Sequence, residues 1–457
     1  MQERTRNHSQ SLIHGPIAQS LVRMTTPMIL GMLMLFTFSL VDTVFISLLG
    51  TESLTAISFT FPVTFAVISL AIGLGIGTSA VVAKYMGRGE YAKAKEAATV
   101  TNYLSILIAC VVTLLARYFM DDIFILMGAS EQMLDPIRAY MVIWLPGSVM
   151  LVAMMTANSV LRACGDTKTP SILMAVSGLL NAVLDPILIF GLGPVPAMGI
   201  AGAAVATVIA WVVSIAYLVY LLAFKLEMIS RVMPGRSVLI NSSREMLRIG
   251  VPAAGANMLT PVAAGVMTAI AAGYGETAVA AFGVGARIEP IATLIILAMS
   301  TTLPPLVSQN YGAGRMDRVA EAYRISVRFI LVWQLLVYVA LALGAGLIAL
   351  LFSDDPEVIR VIKLFIWILP LGYGLQGVII LTNSALNALH RPFAALYLSV
   401  ARFFVFYVPL AWLGSQQFGL PGFFGGALLG NALMALISWR AFRKALTGEE
   451  ALVENAA

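Results

Sequence analysis

The sequence predicts an all-α polytopic membrane protein with twelve transmembrane helices arranged in two six-helix bundles. Three observations support this fold class. Of the 457 residues, 60% are hydrophobic and only 11% are charged, whereas an ordinary soluble domain has about 25% charged residues. Apolar stretches of about 20 residues, long enough to cross a bilayer as a helix, occur twelve times. The two halves of the chain also repeat each other.

The twelve predicted spans are joined by short polar connections. Spans 1 to 6 cover residues 17–48, 53–80, 97–118, 136–158, 170–192 and 199–224. Spans 7 to 12 cover residues 250–272, 284–307, 323–349, 359–382, 393–415 and 421–442. The N-terminal segment is too polar for a signal peptide, so span 1 is expected to serve as the insertion signal.

Positive charges in the connections predict the orientation, because Lys and Arg near span ends stay in the cytoplasm. With the N-terminus inside, 22 of them lie on the cytoplasmic side. Four lie on the other side: Arg117, Arg138, Arg360 and Lys363. Both termini are therefore predicted to be cytoplasmic. This asymmetry explains the net charge of +5, which does not imply a nucleic-acid partner.

An internal repeat appears when the second half of the chain is aligned with the first. The alignment places LVRMTTP (21–27) on MLRIGVP (246–252) and ANSVLRA (157–163) on TNSALNA (382–388). Each half then holds six spans, and an even number gives both bundles the same orientation. The two bundles are therefore expected to be related by a pseudo-two-fold axis along the membrane normal.

The repeat also predicts the domain organisation. An N-terminal lobe of residues 1–224 is followed by a cytoplasmic linker of residues 225–245. A C-terminal lobe with a short cytoplasmic tail covers residues 246–457. Two similar bundles suggest a cleft between them, with alternating access to it.

Asp42 in span 1 and Asp185 in span 5 are each flanked on both sides by apolar residues. A carboxylate at such a depth costs several kcal/mol unless it is protonated, paired or hydrated, so an intramembrane acid indicates a functional site. The second half has Met267 and Val408 at the corresponding positions. The acids therefore belong to the first bundle alone.

Helix geometry predicts that the two acids share one layer. Asp42 lies about 12 Å and Asp185 about 9 Å below the outer end of its span, at a rise of about 1.5 Å per residue. Asn181 lies one turn beneath Asp185 on the same face. Thr207 in span 6 and Tyr140 in span 4 reach the same depth. These five residues form the candidate proton- or cation-binding site.

The chemistry of this group allows two coupling ions. Two neighbouring carboxylates in a low-dielectric site cannot both ionise cheaply, so the pair is expected to share a proton. Asn, Thr and Tyr would satisfy the buried groups as neutral donors and acceptors. The same oxygen-rich set could ligate Na⁺, and the residue types do not separate the two ions. Pro27 and Pro186 interrupt the hydrogen bonding of spans 1 and 5, so protonation could bend span 1.

Glu289 and Arg287, in ARIEPIATL of span 8, are candidate substrate residues of the cleft. Residues two positions apart on a helix do not face each other, so each is expected to find its own partner. Arg402 in span 11 is expected either to snorkel toward the interface or to pair with another group.

Other chemistries lack a pattern in this chain. Three scattered histidines and two cysteines in or beside apolar spans indicate neither a metal site nor a disulfide framework. No GxxxxGK[ST] motif is present, so ATP is not expected to supply the energy. No catalytic site and no cofactor are predicted, and the protein is not expected to be an enzyme.

Several segments resemble the multidrug and toxic compound extrusion (MATE) family. They are GPIAQSLVRMTTPMILGML, LVDTVFISLLGTESLTAIS, VAKYMGRGE, ANSVLRACGDTKTP, and ARIE with LVSQNYGAGR. The resemblance covers nearly the whole chain. NAVLDPILIF together with LVDTVF is similar to the bacterial branch named after DNA-damage-inducible protein F.

This resemblance implies a monomeric antiporter of the bacterial inner membrane that exports drug-like, amphipathic and often cationic compounds in exchange for protons. It assigns the proton site to Asp42, Asp185, Asn181, Thr207 and Tyr140. Another bacterial branch has acids in spans 7 and 10 that form a sodium site. Residues 250–272 and 359–382 contain no acid, which favours proton coupling.

Three alternatives to this interpretation stay open. The first is a sodium-coupled drug antiporter that uses the same site. The second is a flippase for lipid-linked precursors, which would need several cations in the cleft, where this chain offers only Arg287 and Arg402. The third is an ion channel, which would need a continuous polar pore rather than acids in one bundle.

Overall fold

The computed structural model describes residues 10–230 and 234–454. Over these residues the chain forms helices and connecting segments, with no strand. It packs as two compact units. The first contains Val22–Ala254 and the described residues before Pro16, and the second contains Pro16–Leu21 and the chain from Gly255 onward. The predicted limits of the lobes and linker stay a prediction. Among the Lys, Arg and His residues of the predicted cytoplasmic side, four lie outside the described chain: Arg4, Arg6, His8 and Arg231.

Six long helices carry spans 1 to 6. They are Ile17–Ser47, Thr51–Gly87, Tyr91–Tyr118, Glu131–Ala163, Lys168–Phe190 and Ile200–Lys225. A continuous helix satisfies every backbone hydrogen bond within one segment, which an apolar chain in a bilayer requires. The short helix Met120–Leu126 precedes span 4, and span 6 ends in a π-helical turn at Leu221–Lys225.

The helices of spans 7 to 12 are interrupted more often. Span 7 is Arg236–Ala272 and span 9 is Met316–Phe352. Span 8 consists of Glu276–Ala292 and Leu294–Gly312, with a bend of 45° between them. Span 10 consists of Pro356–Ile368, the 3₁₀ turn Leu369–Gly372 and Tyr373–Ala388. Span 11 begins with Pro392–Ala401 and continues through the π-helical segment Arg402–Tyr407 into Val408–Glu454. Pro290, which cannot donate a backbone hydrogen bond, precedes the bend of span 8.

The helix Val408–Glu454 contains the end of span 11 and all of span 12. Gly419 within it has a left-handed backbone, with φ 63° and ψ −145°, and the chain folds back there. A Cβ on Gly426 would overlap the Leu410 carbonyl, and one on Gly422 would overlap the Gly414 carbonyl. The two segments therefore form an antiparallel hairpin with closely packed backbones.

With this hairpin, the prediction of an all-α membrane protein with twelve spans is confirmed. Ten described helices are long and apolar enough to cross a membrane, and the bent pair of span 8 makes an eleventh. The tenth of these helices, Pro392–Glu449, holds both span 11 and span 12. Dividing it at the reversal gives the twelfth span.

The repeat is visible in the backbone as well as in the sequence. Gly50 caps the start of span 2 with φ 102°, and Gly275 caps the start of span 8 with φ 91°. The alignment that places Pro27 on Pro252 also places these two glycines on each other. Glycine adopts such a φ without steric cost. The two halves therefore share the turn that opens their second span.

Span 1 is the least buried helix of the first unit. Only 11% of its most apolar stretch is buried, whereas 67% of the corresponding stretch of span 2 is buried. Span 2 packs tightly because it carries small residues, and Gly73 and Gly77 approach the backbone of span 7 at Gly250 and Met246. Span 2 is therefore a fixed part of the first unit, and span 1 is held by fewer contacts.

Candidate functional site

Spans 1 and 5 lie side by side in the first unit. A Cβ on Gly31 would come within 2.8 Å of the Ser171 Cα, and one on Gly178 would come within 2.6 Å of the Phe38 ring. In both contacts, the residue of span 5 comes the same number of positions after its partner in span 1. The two helices therefore run parallel and in register. This register brings the two predicted aspartates to one level.

The carboxyl groups of Asp42 and Asp185 lie within hydrogen-bonding distance of each other. Asp185 is fully buried and Asp42 is partly buried. Ionised carboxylates only accept hydrogen bonds, so a hydrogen bond between them requires a proton on one of them. No donor among the described residues reaches Asp42 Oδ1 or Asp185 Oδ2, although both atoms are buried. The arrangement can hold one proton between two carboxyls or present two oxygens to a small cation.

Asn181 connects Asp185 to span 6. Its side-chain amide donates hydrogen bonds to Asp185 Oδ1 and to Thr207 Oγ1, each at 3.3 Å. The Thr207 hydroxyl donates to the Ala203 carbonyl at 3.0 Å, so its oxygen is available as an acceptor. Three of the five predicted site residues are thus joined in one chain of hydrogen bonds.

Tyr140 borders this group without bonding to it. It lies near both aspartates. Its ring packs against three buried apolar residues, Ile46, Ile189 and Ala203. The structure therefore brings all five predicted residues together, four in the polar group and Tyr140 at its edge.

An apolar layer that the sequence analysis missed lies next to the polar group. Ile46, Ile189 and Ala203 are exposed by only 4%, 1% and 2%, and each lies one helical turn from a site residue on its own helix. The layer lies toward the ends of spans 1 and 5 that the charge distribution assigns to the outer side. This one-turn spacing from each polar residue was the signal that could have revealed it.

The two candidate substrate residues of span 8 separate in the structure. Glu289 Oε1 accepts a hydrogen bond of 2.8 Å from Gln376 Nε2 of span 10. Arg287 is exposed and is not part of that contact. The structure therefore places Glu289, but not Arg287, in a polar group inside the second unit, and the role of both residues stays a prediction.

A cavity of about 130 Å³ adjoins Glu289 in the second unit. Arg402 also lines this cavity and is only 8% exposed, so it does not snorkel. Its Nε donates to Asn431 Oδ1 at 3.2 Å, which makes its partner an amide rather than an acid. Tyr373 and Gln376, which the sequence analysis missed, also line the cavity with polar groups.

The MatE family model matches residues 27–187 and 252–413, which together make up more than half of the chain. The chain belongs to this family. The two matches begin at Pro27 and Pro252, which are equivalent positions of the two halves, and confirm the internal repeat. The resemblance to MATE transporters is thereby confirmed, whereas the assignment to the DNA-damage-inducible protein F branch stays a prediction.

Individual MATE relatives are similar over almost the full length. The FAD transporter of Shewanella oneidensis is 39% identical over 425 residues, which cover 93% of this chain and 94% of that protein. The multidrug export protein MepA of Staphylococcus aureus is 26% identical over 429 residues, which cover 92% of each chain. The crystal structure of the Vibrio cholerae MATE transporter VcmN in the bent form has a TM-score of 0.90 and 33% identity, covering 97% of this chain and 99% of that chain.

Membership of the MATE family defines the broad class of the protein. Its members are membrane transporters that handle small molecules, and they are not enzymes. This chain is therefore a multi-pass membrane protein of a transport family that includes multidrug exporters.

Proposed function

We propose that this chain is a proton-coupled antiporter of the bacterial inner membrane that exports amphipathic, often cationic compounds by alternating access. Asp42 and Asp185 hold the exchanged proton, Asn181 and Thr207 support Asp185, and Tyr140 borders the site. The protein acts as a monomer with both termini in the cytoplasm. The observation that carries the proposal is the contact between two carboxyl groups inside a bundle of apolar helices.

Direct contact between the carboxyls favours a proton over Na⁺ as the coupling ion. Two ionised carboxylates repel each other, so their contact has a low free-energy cost only when they share a proton. Asn181 also turns an N–H group toward Asp185, whereas a sodium ion would require its carbonyl oxygen. A sodium-coupled antiporter that uses the same residues is the alternative, and it would need the Asn181 amide to rotate.

Span 1 is the element that responds to protonation in this proposal. It is the least buried helix of its unit, and Pro27 removes one of its backbone hydrogen bonds. A proton gained or lost at Asp42 changes the bond to Asp185, and with it the contact between spans 1 and 5. The related VcmN was solved in a bent form, which supports a fold that can bend.

FAD is a second candidate substrate. The S. oneidensis relative, an FAD transporter, is 39% identical to this chain, whereas MepA is 26% identical over a similar length. A flavin dinucleotide is amphipathic but anionic, in contrast to a cationic drug. The buried Arg402 in the second unit favours a substrate with hydrogen-bond acceptors over a purely cationic one.

Transport by the purified protein in proteoliposomes tests the coupling ion and the substrate separately. Ethidium and FAD would each be followed under an imposed pH gradient and, in parallel, under a sodium gradient. We expect the pH gradient alone to drive transport, and Asp42→Asn and Asp185→Asn to abolish it while inserting normally. Asp354→Asn removes an exposed carboxylate and should transport like the wild type.

The outcomes of this assay are distinct. Transport that follows sodium and ignores pH would refute proton coupling. Transport of ethidium without FAD would identify a drug exporter, and the reverse result would identify a flavin exporter. Normal transport by both Asn variants would show that transport does not require the carboxyl pair.

A further inference from the structure

The cavity in the second unit approaches the size of one small ring. Its volume is about 130 Å³, whereas an apolar cavity of about 150 Å³ holds a benzene molecule. Spans 7, 8, 10, 11 and 12 surround it. The polar side chains that line it are Thr260, Glu289, Tyr373, Gln376, Arg402, Tyr407 and Asn431.

The cavity occupies the place in the second repeat that the acid group occupies in the first. Two of its lining residues are Met267 and Phe365. The alignment of the repeats places Met267 on Asp42 and Phe365 on Tyr140. The same internal position of the fold therefore carries two chemistries. The first unit has a pair of acids there, and the second has one acid and one arginine.

Arg402 and Glu289 line one cavity but form no direct ion pair in the described structure. Arg402 Nε binds Asn431 Oδ1, and its guanidinium lies 4.8 Å from the centre of the Phe403 ring. Glu289 binds Gln376 through Oε1. Two opposite charges that line one cavity without meeting are stabilised when a polar group between them bonds to both. The charges cancel, so the group that fits between them is neutral and dipolar.

Tyr373 supplies an independent indication of a ligand. Its side chain is 4% exposed, and its buried hydroxyl has no hydrogen-bond partner among the described residues. Buried hydroxyls in native structures nearly always have a partner, so an unpaired one at a cavity wall needs an explanation. Arg402 and Tyr407 also lie on a π-helical segment, a distortion that is common at functional sites.

We propose that this cavity binds a neutral heterocyclic ring with an imide edge, in which an N–H group lies between two carbonyls. Arg402 and Tyr373 donate to the carbonyl oxygens, and the Glu289 carboxylate accepts from the ring N–H. Gln376 holds Glu289 in position, and the aromatic side chains of the cavity pack on the ring. The pyrimidine-dione end of a flavin has this edge, so the inference rests on FAD, the second candidate substrate of the proposed function.

Riboflavin binding to the full-length protein in nanodiscs, followed by flavin fluorescence, tests this site without transport. Riboflavin presents the imide edge, and 3-methylriboflavin replaces its N–H hydrogen with a methyl group. We expect Tyr373→Phe and Glu289→Gln each to weaken riboflavin binding about five- to tenfold, as expected for one lost hydrogen bond. We also expect 3-methylriboflavin to bind the wild type at least tenfold more weakly than riboflavin.

A matched variant controls for general effects on the second unit. Tyr338→Phe removes a hydroxyl that donates to the Trp367 carbonyl at 3.0 Å, outside the cavity, and should bind riboflavin like the wild type. Riboflavin binding that ignores both cavity variants, or equal binding of the two flavins, would overturn the imide site. Selective riboflavin binding without FAD transport in proteoliposomes would support the site and refute flavin export as the function.

Discussion

Met267 occupies in the second repeat the position that Asp42 occupies in the first, and its side chain is fully buried. The backbones of the two repeats share turns at equivalent glycines, yet among the described residues only the first unit places a carboxyl pair at this depth. In the proposed mechanism, a proton taken up at Asp42 acts on the packing of the first unit. The second unit offers a different polar cavity at the equivalent place.

The hydrogen-bond chain through Asn181 should act as a unit. We expect Asn181→Ala and Thr207→Val to slow pH-driven transport by similar factors, because each removes a link of the same chain. The double variant should be no slower than the slower single variant. Initial transport rates in proteoliposomes measure this. Thr43→Val, at an exposed position of span 1, is the control, and losses that add in the double variant would contradict a linked chain.

The apolar layer beside the acids should block protons from the outer side. Ile189→Ser introduces a polar group where the side chain is 1% exposed, and we expect it to admit water to Asp185 and cause a proton leak without substrate. A pH-sensitive dye inside proteoliposomes measures the leak. Ile189→Val keeps the layer apolar, so this variant should show no proton leak. If Ile189→Ser is equally tight, the layer is not the barrier.

The leak should pass through the carboxyl pair. Adding Asp185→Asn to Ile189→Ser should suppress it, because the proton then loses its acceptor next to the opened layer. The same dye assay measures the double variant. A leak that persists in the double variant would mean that the substitution opened a path unrelated to the acids.

A side chain at Gly426 should destabilise the hairpin of spans 11 and 12. Its Cβ would overlap the Leu410 carbonyl, and relieving this overlap should cost about 1–3 kcal/mol. We expect Gly426→Ala to lower the Tm of the solubilised protein by several degrees. Gly425→Ala places the same methyl group where no atom lies within 4 Å and should not lower the Tm. Equal Tm values would show that the hairpin can shift without cost.

Lys84 and Glu245 form an ion pair of 2.6 Å between spans 2 and 7, with side chains 17% and 25% exposed. We expect Lys84→Glu and Glu245→Lys each to lower the stability, and the charge-swapped double variant to recover about 1 kcal/mol of it. Thermal unfolding of the four proteins measures the coupling. The more exposed pair of Lys93 and Glu90 should show a smaller coupling, and equal values would argue against a role for burial.

The sequence was sufficient for the spans, the repeat and the depth of the acids. A bilayer requires long apolar helices, so the spans could be located from composition, and the rise of a helix converts residue number into depth. Asp42 and Asp185 could therefore be assigned to one layer from their positions along spans 1 and 5. The periodicity of the helix also placed Asn181 and Asp185 on the same face of span 5.

Only the tertiary structure decided which helices are neighbours at that depth. The contact of Asp42 with Asp185 depends on spans 1 and 5 lying side by side, which the close approach at Gly31 and Gly178 permits. The burial of Arg402, the partner of Glu289 and the apolar layer likewise depend on contacts between segments far apart in sequence. Periodicity within one helix determines the depth of a residue in the membrane and the helical face on which it lies. Which helix packs against that face is determined by the shapes of several helices packed together.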